Sequence, residues 1–192
     1  MPSPRDRMVA SAALLIRERG AHSTAISDVL QHSGAPRGSA YHYFPGGRTQ
    51  LLCEAVDFAG NYIADRIAAA GTTAEALDSL VDGFRSQLAE SGYRAGCPVV
   101  AVAVEADNPP VIERAAAAFT RWTGLIEDLL KRDGVAPARS AELAMLATTA
   151  IEGAVLVART TGGTAPLDTV HRQLRALVSA ETDAVEGGEK GR

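Results

Sequence analysis

Two short apolar repeats, Ile26 with Val29 and Leu30, then Ala40 with Phe44, stand one turn apart, with Gly34 and Pro36 between them. No single helix runs through both, because Gly34 favours a helix end and Pro36 lacks the N–H that a helix interior needs. The first repeat suits a helix beginning at Ser27, whose hydroxyl can act as an N-cap, and ending at Gly34. A second helix is expected from about Arg37 to Phe44. Ala40 and Phe44 face inward there, while Arg37, Ser39, Tyr41 and His42 carry polar ends outward. Two short helices joined by a Gly-containing turn form the unit that lays its second helix in the DNA major groove. Residues 25–52 therefore read as a helix-turn-helix.

The segment GAPRGSAYHYFPGGRTQLL, residues 34–52, resembles the recognition helix and following turn of the tetracycline-repressor (TetR) family of bacterial regulators, at Gly34, Tyr41, Phe44 and Leu51 in particular. That family usually places two residues between the Phe and a basic residue. Here Pro45, Gly46 and Gly47 intervene, and Arg48 stands where Lys is usual. The longer turn, together with GCPVVAVAVEA at residues 96–106, is similar to the branch containing the lincomycin-resistance repressors. The combined resemblance spans about Met8 to Leu52. It implies an all-α chain, with an N-terminal three-helix helix-turn-helix domain at residues 1–50 and a C-terminal helical ligand-binding and dimerisation domain at residues 51–181.

The formal net charge of −4 argues against nucleic acid only if it is evenly spread. It is not. Residues 1–50 hold six Arg against Asp6, Glu18 and Asp28, a balance of +3, which leaves −7 on the remainder. A basic end on an acidic body fits docking on phosphate by that end alone. Cys53 and Cys97 have no metal-ligand spacing, and no secretory leader or apolar run near the roughly 18 residues of a membrane span is visible, so a cytoplasmic chain without a membrane partner is expected.

Ahead of the motif, Asp6 to Arg19 carries a helical apolar stripe that ends at Gly20 and should pack behind the helix pair. Arg5 and Arg7 either reach phosphate or belong to a solvated terminus. Thr24 suits phosphate contact and helix entry equally. After the motif, periodicity places helices over residues 48–70, 74–90, 111–132, 138–159 and 164–180. Cys97 to Val104 has the β-branched content of a strand, but Pro98 suits a first helical turn and the resemblance implies a helix, which is the expectation taken. Residues 138–159 are apolar almost all round, and with residues 164–180 they are expected to form a four-helix bundle with a second copy. Residues 182–192 lack apolar periodicity and are expected to form a disordered tail.

Seven residues are the candidates for the DNA surface: Ser27, Arg37, Gly38, Ser39, Tyr41, His42 and Arg48. Arg37 suits two hydrogen bonds to guanine O6 and N7, Gly38 allows close approach of the backbone, and Ser27, Tyr41, His42 and Arg48 suit phosphates. The resemblance further implies an effector pocket in the body. Phe84, Leu88, Phe119, Trp122 and Met145 are candidates for its lining, although plain core packing is the better account of each, since an aromatic or Met at helical spacing needs no ligand to explain it. Glu105 and Glu152 are its candidate polar groups. Cys97 has only Arg94 nearby to activate it as a redox sensor.

No catalytic residue set, metal site, phosphate-binding glycine loop or cofactor is expected. The reading is a homodimeric regulator on a palindromic double-stranded operator, repressing until an unidentified small-molecule effector releases it. A regulator of the same fold that senses no ligand is the alternative, and a helical enzyme is a remote one.

Overall fold

The computed structural model describes residues 2–105 and 107–189, with side chains through residue 183. Nine helices and no strand are present among the described residues. They are α1 Pro4–Arg19, α2 Ile26–Ser33, α3 Ser39–Tyr43, α4 Gly47–Ala68, α5 Thr73–Glu90, α6 Pro98–Val104, α7 Pro109–Arg132, α8 Pro137–Thr161 and α9 Ala165–Glu189.

Local chemistry explains most of these boundaries. Ser3 caps α1 reciprocally with Asp6: the Asp6 N–H donates to the Ser3 hydroxyl at 3.1 Å, and the Ser3 N–H donates to the Asp6 carboxylate at 3.2 Å. That exchange starts the helix two residues before the expected Asp6. Gly34 ends α2 at φ 65°, a left-handed conformation that a Cβ would strain. Thr72 caps α5 through its hydroxyl, and Pro98 and Pro137 occupy first turns, where a missing N–H is not needed.

Three expectations are corrected. Helix α2 begins at Ile26 with Ala25 at the N-cap position, where the Asp28 carboxylate accepts from the Ala25 N–H at 3.2 Å; Ser27 lies in the first turn and caps nothing. Helix α3 starts at Ser39, because Arg37 and Gly38 belong to the turn. Residues 182–189, expected to be a disordered tail, continue α9, while residues 190–192 lie outside the described residues. Residues 97–104 are helical as expected.

The chain packs as two compact units. The first comprises residues 1–62 with residues 94–118. Its core holds Met8, Ala12 and Ile16 of α1, Val29, Phe44, Leu51, Ala55 and Val56, together with Val99 of α6 and Val111 and Ala115 of α7. Helix α1 packs on both α2 and α6, and the Gly96 N–H donates to Arg17 O at 2.8 Å. The sequence reading places a functional boundary near residue 50, whereas packing draws residues 94–118 to the same unit as the helix-turn-helix.

The second unit comprises residues 63–93 with residues 119–192. Helices α5, α8 and α9 pack on one another over Leu77, Leu80, Val81, Leu143, Ala147, Ile151, Leu167 and Leu174. Polar contacts fasten its rim: the Arg85 guanidinium pairs with the Asp168 carboxylate at 2.7 Å, and His171 Nε2 is hydrogen-bonded to Asp78 at 2.7 Å. His171 thereby joins α9 to α5.

Helix α8 has the length and composition to cross a bilayer, with a mean hydropathy of 1.6 over its most apolar stretch, although Glu142 and Glu152 interrupt any unbroken apolar run. Only 44% of that stretch is buried. Met145, Leu146, Leu156 and Val157 stand on its exposed side.

Candidate nucleic-acid interface

The turn between α2 and α3 fixes what α3 presents. Pro36 O accepts from both the Ser39 N–H at 3.0 Å and the Ser39 hydroxyl at 2.7 Å, which starts a helix of five residues. Its inward positions are filled by Ala40 and, just past the end, Phe44, each 1% exposed. The intervening residues are thereby turned out: Tyr41 is 73% exposed and His42 is exposed. Tyr43 is half-buried, with its ring edge-on to His42 at 5.2 Å between centroids.

Arg37 and Gly38 are exposed on the preceding turn, and a Cβ built on Gly38 would meet nothing within 4 Å. Gly38 therefore leaves an open surface that another molecule's backbone can approach closely. Among the candidates, the structure brings Arg37, Gly38, Tyr41 and His42 to solvent within six consecutive residues, with Ser27 exposed in the first turn of α2. The Ser39 hydroxyl is committed to Pro36 O.

Four further residues considered for phosphate contact, Arg48, Arg5, Arg7 and Thr24, are bonded within the fold. The Arg48 guanidinium donates to Thr24 O at 3.0 Å, to His22 O at 3.4 Å and to Ala21 O, so it braces the loop between α1 and α2. Arg5 pairs with Glu54 at 2.6 Å, and Arg7 donates to Ser33 O at 3.3 Å. Thr24 is buried, and its hydroxyl donates to Gly20 O at 2.8 Å, which makes it a loop residue. These bracing roles escaped the sequence reading. For Arg5 the only signals were an aromatic at Phe44 and an acid at Glu54, neither local to it.

In the second unit a cavity of about 680 Å³ opens between α7 and α8. Phe119, Met145 and Glu152 line it, beside hydroxyls of Thr120, Thr123 and Thr149. The Thr123 and Thr148 hydroxyls meet at 3.1 Å. Phe84, Leu88 and Trp122 do not line it; they are 4%, 1% and 2% exposed in the core. Glu105 belongs to the other unit, where its carboxylate accepts from the His22 N–H. Cys97 is buried, and burial raises the Cys53 thiol above its ordinary pKa, so Cys53 is not activated by its surroundings. Among the described residues no group of three or more His, Cys, Asp or Glu is placed to hold a metal ion.

Residues 9–55 match the family described as bacterial regulatory proteins, tetR family, and residues 73–173 match the C-terminal domain of LmrA/YxaF-like transcriptional regulators. An uncharacterized HTH-type transcriptional regulator of Mycobacterium tuberculosis is 61% identical over 188 residues, covering 94% of this chain and 97% of the relative. The HTH-type transcriptional regulator LmrA of Bacillus subtilis is 30% identical over 169 residues, covering 85% and 90%. Among solved structures, a TetR transcriptional regulator from Chloroflexus aurantiacus superposes with a TM-score of 0.75 at 30% identity, covering 92% of this chain and 94% of its own. The regulatory protein TetR from Rhodobacter sphaeroides shares the fold with a TM-score of 0.79 at 20% identity, covering 90% and 97%. With both its helix-turn-helix and its C-terminal segment matched, the chain belongs to the TetR family and is a DNA-binding transcriptional regulator with an LmrA/YxaF-like C-terminal domain.

Proposed function

We propose that this regulator is a homodimeric repressor of the cytoplasm, without catalytic activity, that holds a near-palindromic operator until a small molecule releases it. Residues 1–50 bind the duplex, and residues 51–181 dimerise and receive the effector. The observation that carries the reading is the solvent-facing run of Arg37, Gly38, Tyr41 and His42 above a buried Ala40 and Phe44. Two such surfaces in a two-fold dimer enter successive major grooves about 34–36 Å apart. Arg37 reads a guanine edge, while Ser27, Tyr41 and His42 clamp phosphates. The second copy docks on residues 138–159 and 164–180, a reading supported by the exposed apolar side of α8.

The effector site is assigned to the cavity between α7 and α8, whose apolar Phe119 and Met145 lie beside the Glu152 carboxylate. A ligand displaces an equilibrium only by its differential affinity for two states, typically about 1–3 kcal/mol of coupling. The test is binding of the purified protein to the DNA upstream of its own gene across a salt series, followed by a screen for compounds that weaken the complex. Protection of two half-sites one helical turn apart supports the dimeric repressor. A compound that binds the second unit yet leaves operator affinity unchanged overturns the effector assignment.

A further inference from the structure

The loop from Gly20 to Ala25 sets how α2, and with it α3, leaves α1. Its backbone groups are held from two sides. Arg48 of α4 donates to Ala21 O, His22 O and Thr24 O. The Glu105 carboxylate, at the C-terminal end of α6, accepts from the His22 N–H, a bond between residues 83 positions apart. Internal bonds complete the loop: the Gly20 N–H donates to Ile16 O at 2.8 Å, and the Thr24 N–H donates to Ala21 O at 3.1 Å. Glu105 also fills the space beside Gly20, where a Cβ would overlap its Oε1. Gly96, just before α6, donates its N–H to Arg17 O. Both ends of α6 are thus hydrogen-bonded to the last turn of α1 and the loop that follows it.

We propose that Glu105 is a positioning residue for DNA binding: its carboxylate and the Arg48 guanidinium satisfy the His22 N–H and the loop carbonyls together, and so fix the angle at which α2 and α3 are presented. This rests on the DNA-binding reading and adds to it a residue more than fifty positions beyond the helix-turn-helix. Sign separates positioning from electrostatics. Removing a carboxylate that merely repelled phosphate strengthens DNA binding. Removing one that holds the reading head weakens it.

The experiment compares wild type, Glu105→Ala and Glu105→Gln on a duplex selected from a random library by the wild-type protein, with amide exchange at His22 measured on the free proteins. Glu105→Ala is expected to weaken binding about tenfold, equivalent to about 1.4 kcal/mol. Its salt slope stays that of wild type, since no phosphate contact is lost. Its His22 amide exchanges faster. Glu105→Gln keeps an acceptor oxygen and restores most of the affinity and protection. Equal or tighter binding by Glu105→Ala, or unchanged exchange at His22, overturns the proposal. Failure of the wild type to select any duplex overturns the DNA reading itself, and the His22 exchange rates still decide whether Glu105 holds the loop.

Discussion

The Arg5 guanidinium lies over the Phe44 ring, 5.4 Å from its centroid, while the same group pairs with Glu54 at 2.6 Å. Phe44 closes α3 and Glu54 belongs to α4, so one side chain near the start of the chain braces both elements behind the reading surface. Arg5 is part-exposed, which keeps the ion pair at about 0.2–1 kcal/mol and the cation–π contact at about 0.5–1 kcal/mol. Arg5→Ala is therefore expected to lower stability by about 1 kcal/mol. Its DNA affinity falls with no change in salt slope. A slope reduced by about one unit reassigns Arg5 to a phosphate contact.

The second unit carries a pH dependence of defined sign. Asp168 has its pKa lowered, first by the hydrogen bond from Arg85 at 2.9 Å and further by the Thr164 hydroxyl, against the opposing effect of burial. A carboxylate with a depressed folded-state pKa contributes stability that is fully present above its unfolded value of about 3.9 and disappears as pH falls through the folded value. Asp168→Asn should therefore be less stable than wild type at neutral pH, with the gap closing in acid below about pH 4. Urea titrations at pH 7 and pH 3 measure it, and a gap that does not shrink at the lower pH contradicts the assignment.

The elements that the sequence announces are those with local causes. Gly20, Gly34 and Pro98 mark helix ends because backbone freedom or a missing N–H acts within one turn. Helix α6 reads as a strand by its valines, yet no partner strand exists among the described residues and its apolar face packs on α1. The bracing roles depend on pairs that no local pattern reveals: Arg5 with Glu54 at a separation of 49 residues, Arg48 with Ala21 at 27, and Glu105 with His22 at 83. For the same reason Arg48 looked like a phosphate ligand and Glu105 like a pocket group. Phe84, Leu88 and Trp122 show the complementary ambiguity, since helical periodicity is the same for a packed core and for a ligand cavity.

At the reading surface, Arg37 and Tyr41 should separate by the kind of loss they produce. Arg37→Ala removes a side chain able to make two bonds to one guanine, so about 1–3 kcal/mol of discrimination disappears at a single position in each half-site. Tyr41→Phe removes one hydroxyl suited to phosphate and should weaken all sequences alike. Competition between the selected duplex and single-base variants reads both effects. A uniform loss for Arg37→Ala moves it to the phosphate-binding group. Neither substitution should alter thermal stability, because both side chains are exposed.

The exposed side of α8 supplies the remaining prediction. Beside the cavity, Leu146, Leu156 and Val157 are 44%, 50% and 47% exposed, and Gly153 continues the same exposed side between them. Apolar side chains at such spacing form a stripe along one helix face, the pattern of a seam between helices. Fully burying a side chain of this size contributes about 1.5–3 kcal/mol, so covering the exposed half of each adds about 1 kcal/mol per residue in each copy. A charge placed in that seam reverses the gain, because an unpaired ion loses its water at the interface. Leu156→Lys is therefore expected to sediment at the mass of one chain at concentrations where the wild type sediments at twice that mass. Helical content stays unchanged, since position 156 faces solvent within the monomer. Affinity for the two-half-site duplex collapses with the dimer, while affinity for a single half-site is kept. A variant that remains dimeric and binds like wild type would move the interface to another face.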